Sequence, residues 1–437
     1  MEIDSRLPLI QDADLEGKVV LVRVDHNVVK KGAIVDPYRI DATFGTLYNI
    51  VERGGRLILM THVSRPKDKK TGKIKISKDS TVDPIVEYIE TKLHTKFMVP
   101  KFKEEDDGRG FLGIDTSINL AIRDLKKRKI GGIYLPNTRW FQGEEGDETA
   151  KNQFALQLAG LADIFINDAF GSWQPHASSV NVSRYLPSYA GFLMQREIIN
   201  LSQVLSPKKP FLAVVAGAKF DTKIGPLIEI YKKVDALILG GVIYNAFLCA
   251  KYGIKIAGVQ EEDVEAASQL LELDSKKRKI LELKFLIESD SMKNKVEADC
   301  REISTDDFKE GDSFGYVLDV SPKSFSQPEV TNIMLSAKTI FVNAVMGYTP
   351  HFYEGSKALD ETIDKNRTAK ILYGGGDTLQ EFKNLCPGLY LQVLDNSQYY
   401  FFTGGGTVLT AIQHNSPYSL PPVQALIKTK NDLGESV

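Results

Sequence analysis

The run "FLAVVAGAKFDTKIGPL", Phe211 to Leu227, decides how the chain folds. From Phe211 to Ala216 every side chain is apolar, with no polar alternation, so both faces of the segment have to be covered by protein. The run breaks at Gly217 and then presents Lys219 and Lys223 one helical turn apart. A strand covered on both faces, a turn and a helix make up the repeating unit of a parallel α/β sheet. The two lysines admit two readings. They are solvated charges on an exposed helix face, or they are ligand groups placed at the end of a buried strand.

The same grammar recurs along the chain: "KVVLVRVD" from Lys18, "RLILMTHV" from Arg56, "IGGIYLPN" from Ile130 and "ADIFIND" from Ala162 in the first half. In the second half, "ALILGG" from Ala236, "TIFVNA" from Thr339, "AKILYGGG" from Ala369 and "YYFFTGGG" from Tyr399 follow the opening run. Helical patterns lie between them, so the fold class is α/β with parallel sheets, whose ligands bind beyond the carboxyl ends of the strands. Asp25, Asn27, His62, Arg65, Arg139, Asp168, Lys219, Asn343 and Asp377 all follow such strands. Each half is therefore expected to be one doubly wound domain with its functional edge on a shared cleft. The expected division is an N-terminal domain over 1–190, a hinge helix and linker over 191–209, a C-terminal domain over 210–415 and a Pro-rich tail over 416–437.

A length of 437 residues, 43% hydrophobic and 26% charged, suits two globular domains. A formal net charge of -2 leaves no general basic field for nucleic acid. Cys249, Cys300 and Cys386 show no CxxC spacing, and the acidic N-terminus lacks the pattern of a signal peptide. The most apolar stretch, "VDALILGGVIYNAFLCA", is interrupted by Asp235, a Gly pair and Asn245. A cytoplasmic protein with no membrane and no nucleic-acid partner is expected.

"KILYGGGDTLQEF" and "YFFTGGGTVLTAI" each run strand, glycine triplet, helix. Glycines let a backbone approach a phosphate, and a helix N-terminus offers it free N–H groups and a positive dipole end. Asp377, beside the first triplet, either caps the helix or holds a magnesium ion on nucleotide phosphates. In the first half Arg39, Arg65 and Arg139, with His62, would suit a small anionic substrate, because guanidinium forks match carboxylate and phosphate. Asp25 and Asn27 could orient them.

Together these residues resemble the phosphoglycerate kinase family. "VLVRVDHNV", "RID", "THVSRP" and "FINDAFG" are similar to its N-terminal motifs; "AGAKFDTKI", "ILGG", "LYGGGDT" and "TGGG" are similar, in order, to its nucleotide-domain motifs. "AGFLMQRE" resembles the start of its hinge helix, and the likeness covers nearly the whole chain. The resemblance implies two Rossmann-like domains that close about a hinge, with the C-terminal tail returning to the first. It implies reversible phosphoryl transfer between 1,3-bisphosphoglycerate and MgADP, giving 3-phosphoglycerate and MgATP, by a monomer. Carried over by motif, Asp25, Asn27, Arg39, His62, Arg65 and Arg139 would hold phosphoglycerate. Gly217, Ala218, Lys219, Lys223, Gly240, Gly241, Asn343, Gly375, Gly376, Asp377 and Thr378 would serve the nucleotide. Arg39 and Lys219 would be catalytic, Gly404, Gly405 and Gly406 would form the phosphoryl-transfer loop, and Asp377 would carry Mg2+.

Departures from the family pattern bear on that reading. In "SWQPHASS", read residue for residue, the family arginine falls on Pro175 and its flanking histidines on Gln174 and Ala177, with His176 as a partial substitute. In "VNAVMGYTP", Pro350 stands where the family has a ribose-binding Glu, and Glu354 lies four residues on. Ser64, Ala216 and Ser321 replace glycines. The changed loop leaves two further readings open: a kinase of the same fold for another small anionic acid, and a non-catalytic nucleotide-binding descendant.

Overall fold

The computed structural model describes residues 3–217 and 224–434, with side chains as far as 429. Ala218, Lys219 and Lys223 therefore lie outside the described residues. Two compact units emerge: Met1–Ile199 with Pro417–Val437, and Asn200–Ser416.

The first unit is built on a six-stranded sheet in the order Phe97–Met98, Gly132–Tyr134, Arg56–Met60, Val19–Val24, Ile164–Asp168, Ser188–Ala190. All its pairings are parallel. Val19–Val24 is buried along its whole length, its apolar run broken only by the equally buried Arg23. The chain order changes direction beside this strand, which puts a ligand crevice at its carboxyl end. Helices such as Phe44–Glu52 and Asp83–Leu93 cover the sheet, and their Leu47, Ile50, Ile85 and Ile89 pack with Val20, Val22, Leu57 and Leu59 in one core. Each such side chain contributes about 1.5–3 kcal/mol of burial.

The C-terminal segment, whose prolines suggested an irregular tail, contains the helix Pro421–Gly434. Prolines at a helix start lose nothing, because the first N–H groups have no partner inside the helix. Within the first unit Thr429 Oγ1 donates to Ser183 O at 3.0 Å and Asp4 N donates to Tyr418 Oη at 2.8 Å.

The second unit carries a five-stranded parallel sheet in the order Ala236–Gly240, Phe211–Gly217, Thr339–Asn343, Lys370–Gly374, Tyr399–Phe402. Its order reverses beside Phe211–Gly217, the apolar run that breaks at a glycine. An element absent from the strand pattern is the antiparallel three-stranded sheet Cys300–Ser304, Phe285–Ser289, Tyr316–Val320. Its strands are partly wet and interrupted by Glu288, Arg301 and Glu302, so they lack the apolar runs that mark the parallel ones. No helix among the described residues is long and apolar enough to cross a membrane.

Candidate active site

The polar residues of the first unit gather where its strands end. Asp25 directly follows Val24 and is buried; its Oδ2 takes a contact of 3.3 Å from Arg39 Nη1. Arg39 sits in the short helix Tyr38–Asp41 with a quarter of its side chain exposed, 25%. Asn27 Oδ1 accepts from Ser64 N at 2.8 Å. Ser64 has φ +59°, which explains why a glycine suits this position: a left-handed backbone costs a residue with a Cβ about 1–2 kcal/mol. The Ser64 carbonyl in turn accepts from Arg139 Nη1 at 2.6 Å. Asp25 and Asn27, from one strand end, thus anchor a guanidinium and a loop that a second guanidinium closes on.

His62 is buried in the same group, with Nδ1 2.9 Å from Arg23 Nη2. Burial, and then the positive charges of Arg23 and Arg139, push its pKa well below the ordinary histidine value, so the ring is neutral. Arg65 is exposed on the loop beyond it and is not drawn into this network. Asp168 ends its strand fully buried, accepts from Met194 N at 3.1 Å, and is pushed up to about 6 by desolvation.

Sequence reasoning missed three groups here. Arg23 lies inside the strand and is completely buried. Glu144 is buried and accepts from Thr138 Oγ1 at 2.9 Å and Ser178 Oγ at 2.6 Å. Glu145 Oε1 stands 2.7 Å from Arg139 Nε and 3.5 Å from His176 Nε2. Any anion reaching Arg139 therefore meets a carboxylate already beside it. A charge inside an apolar strand run was the available signal for Arg23; the glutamates offered none, since "FQGEEGDE" reads as an ordinary acidic loop. In the departing segment Pro175 is exposed, while His176 is half-buried and its pKa is lowered by desolvation first.

In the second unit both glycine triplets lie at carboxyl ends of parallel strands and open helices. Gly375 is the N-cap of Gly376–Leu385, with φ +124°, a conformation open only to glycine. Asp377 is in the first turn and exposed, so the cap role falls to Gly375 and the carboxylate is left at the surface beside the helix N-terminus. Thr378 is buried, and the Asn343 amide donates to the Gly374 carbonyl. Gly404 caps Gly405–Gln413, with Gly405 buried and Gly406 exposed. The triplets touch: a Cβ on Gly405 would stand 2.7 Å from Gly375 N. Gly405→Ala is accordingly expected to cost about 1–3 kcal/mol, as overpacking against backbone does. Thermal melting checks it, and an unchanged melting point would show that the helices part freely.

Gly217 ends its strand and bridges to Gly241, which follows Gly240 at the next strand end. Gly241 with Tyr244, Asn245, Leu286, Val317 and Met346 lines a small cavity beside these ends. Glu354, four residues beyond Pro350, has its Oε1 2.5 Å from Lys295 Nζ.

The sequence profile of phosphoglycerate kinase matches residues 10–415. The chain belongs to the phosphoglycerate kinase family. The phosphoglycerate kinase of Dictyoglomus turgidum is 31% identical over 413 residues, 92% of this chain and 95% of that protein. That of Fervidobacterium nodosum is 33% identical over 421 residues, again 92% and 95%. The solved phosphoglycerate kinase of Coxiella burnetii matches with a TM-score of 0.72 at 26% identity, over 97% of this chain and 99% of that one. The enzyme of Pyrococcus horikoshii, at 20% identity and a TM-score of 0.76 over 98% and 100%, shares the fold. As a member of the phosphoglycerate kinase family the chain is an enzyme, an ATP-dependent kinase of glycolysis, with a nucleotide and a small molecule as substrates.

Proposed function

We propose that the chain transfers a phosphoryl group reversibly between 1,3-bisphosphoglycerate and MgADP, with the acid on the first unit and the nucleotide on the second. One observation supports this assignment most: at the carboxyl edge of the first sheet Asp25 and Asn27 set Arg39, and Arg139 through the Ser64 loop, around one crevice. Phosphoryl transfer asks for this kind of positioning and charge neutralisation rather than a strong base.

In this reading Arg39, His62, Arg65 and Arg139 hold the anionic acid, and Arg39 also meets charge on the moving phosphoryl group. The triplets Gly374–Gly376 and Gly404–Gly406 offer backbone N–H groups to the nucleotide phosphates at two helix N-termini. Gly240, Gly241 and Asn343 border the nucleoside, while Lys219 follows the transferring group and Lys223 the nucleotide phosphates. The exposed Asp377 carboxylate fits a magnesium ion, which takes one or two carboxylates plus substrate oxygens. When bound, the metal supplies neutralisation of the phosphate charges. We place the enzyme in the cytoplasm as a monomer, working through closure of its two units about the helix Phe192–Leu205.

The test is a coupled assay of purified protein with 3-phosphoglycerate and MgATP; binding of nucleotide without turnover would overturn the reading. Pro175 adds a second, quantitative check. A charge-assisted contact is worth about 1.5–3 kcal/mol, and proline offers no donor. Pro175→Arg is expected to lower KM for 3-phosphoglycerate about ten- to a hundredfold and leave KM for ATP unchanged. No fall would mean that another group, His176 foremost, already serves the substrate there.

A further inference from the structure

Arg23 is the one charged residue in the strand Val19–Val24, and none of its surface reaches solvent. A guanidinium cannot shed its proton to escape burial, so its partners must satisfy it. Its Nη1 donates to the Val24 carbonyl, and its Nε donates to Ser178 Oγ at 2.9 Å. Ser178 Oγ passes its own proton toward Glu144 Oε1 at 2.6 Å, and Ser178 N donates to Glu144 Oε2 at 3.0 Å. The result is a buried ion pair joined through a hydroxyl. Burial alone pulls the Arg23 pKa down, and the Glu144 charge acts first among the neighbours to restore it.

The remaining arm of the guanidinium, Nη2, lies 2.9 Å from His62 Nδ1. A guanidinium has donors only, so at this contact Nδ1 must be the acceptor and present its lone pair. The ring proton then belongs on Nε2, to which the described residues offer no hydrogen bond. We propose that Arg23 is a positioning residue for phosphoryl transfer: it locks His62 as the neutral Nε2–H tautomer, so that the imidazole meets the anionic acid as an aimed donor rather than as a cation. The role rests on the assignment of His62 to the phosphoglycerate site.

Two features favour this over a purely structural ion pair. A structural pair would be complete with Ser178 and Glu144, yet one arm is spent on an imidazole in the crevice. The neighbours that act most on His62 are the guanidiniums of Arg23, Arg139 and Arg39 and the His176 ring, and all of them disfavour an imidazolium. The pair also has a structural side: Ser178 lies in the segment that departs from the family pattern, and its bonds to Glu144 hold that loop in place.

The experiment is 15N NMR of histidine-labelled full-length protein, with His62 assigned through His62→Gln, followed by kinetics on Arg23→Lys and Arg23→Met. The expected result is a pyrrole-type Nε2 and a pyridine-type Nδ1 that do not titrate between about pH 8 and about pH 6. Arg23→Met should give mixed tautomers and raise KM for 3-phosphoglycerate about tenfold, leaving KM for ATP in place. Arg23→Lys, again a pure donor, should restore the tautomer and part of the KM. A proton on Nδ1 in the parent, or the parent tautomer retained in Arg23→Met, would overturn the proposal even if Arg23→Met folds poorly. Should the tautomer be as proposed but His62 not shift on saturation with 3-phosphoglycerate, the assignment of His62 to the substrate fails instead, and the positioning role goes with it.

Discussion

Arg39→Ala is expected to lower kcat about 10²- to 10³-fold, with a smaller rise in KM for 3-phosphoglycerate. The expectation comes from how Arg39 is held. Its guanidinium reaches the buried Asp25 over 3.3 Å, a contact long enough to aim the group without spending its charge. Arg139, by contrast, is taken up by the Ser64 carbonyl and by Glu145 at 2.7 Å, and so suits a ground-state anchor. A donor kept free for charge that develops in the transition state acts on kcat, whereas an anchor acts on KM. Arg39→Lys should fall between parent and alanine variant, since it keeps the charge and loses the fork. If Arg39→Ala raises KM and spares kcat, Arg39 is an anchor like Arg139 and the neutralising role lies elsewhere.

The parts of the fold legible in the sequence are those buried on both faces. Val19–Val24, Phe211–Gly217 and Ala236–Gly240 carry no polar alternation because no face of a parallel sheet between helices meets water. Within the hinge helix and linker expected over 191–209, the helix runs from Phe192 to Leu205 for a similar reason, as its apolar spacing follows a helical period. The antiparallel sheet around Phe285–Ser289 was not legible, since its half-wet strands mix charge with short apolar pairs. The helix Pro421–Gly434 was hidden by prolines that serve as its start.

At the site the asymmetry is sharper. Residues at strand ends could be named because chain order alone places them at the carboxyl edge. Their partners could not. Asn27 turned out to hold the Ser64 backbone, and nothing in "DHNV" says so. Arg23 is tied to Ser178 across 155 residues, a pairing that depends on how the strand Ile164–Asp168 docks beside Val19–Val24. Glu145 competes for Arg139 only because the turn after Trp140 folds back on it.

Lys219→Ala is expected to remove most turnover, about 10²-fold or more in kcat, and to leave ATP binding nearly intact. The residue lies outside the described part of the structure, so the expectation rests on family motif and charge chemistry. The moving phosphoryl group is nearly flat in the transition state, with negative charge spread over its equatorial oxygens. A cation that tracks this group gains interaction as the bond to the leaving oxygen lengthens, and contributes little to either ground state. Lys223 is assigned to phosphates that do not move, so Lys223→Ala should instead raise KM for ATP with a modest change in kcat. The pair of variants therefore separates the two readings of the opening stretch. Two solvated lysines on a helix face would leave both parameters unchanged in both variants. Two catalytic lysines with one role would lower kcat in both. Only a split, kcat lost at Lys219 and affinity lost at Lys223, fits a strand end that feeds one charge to the transferring group and the next to the nucleotide.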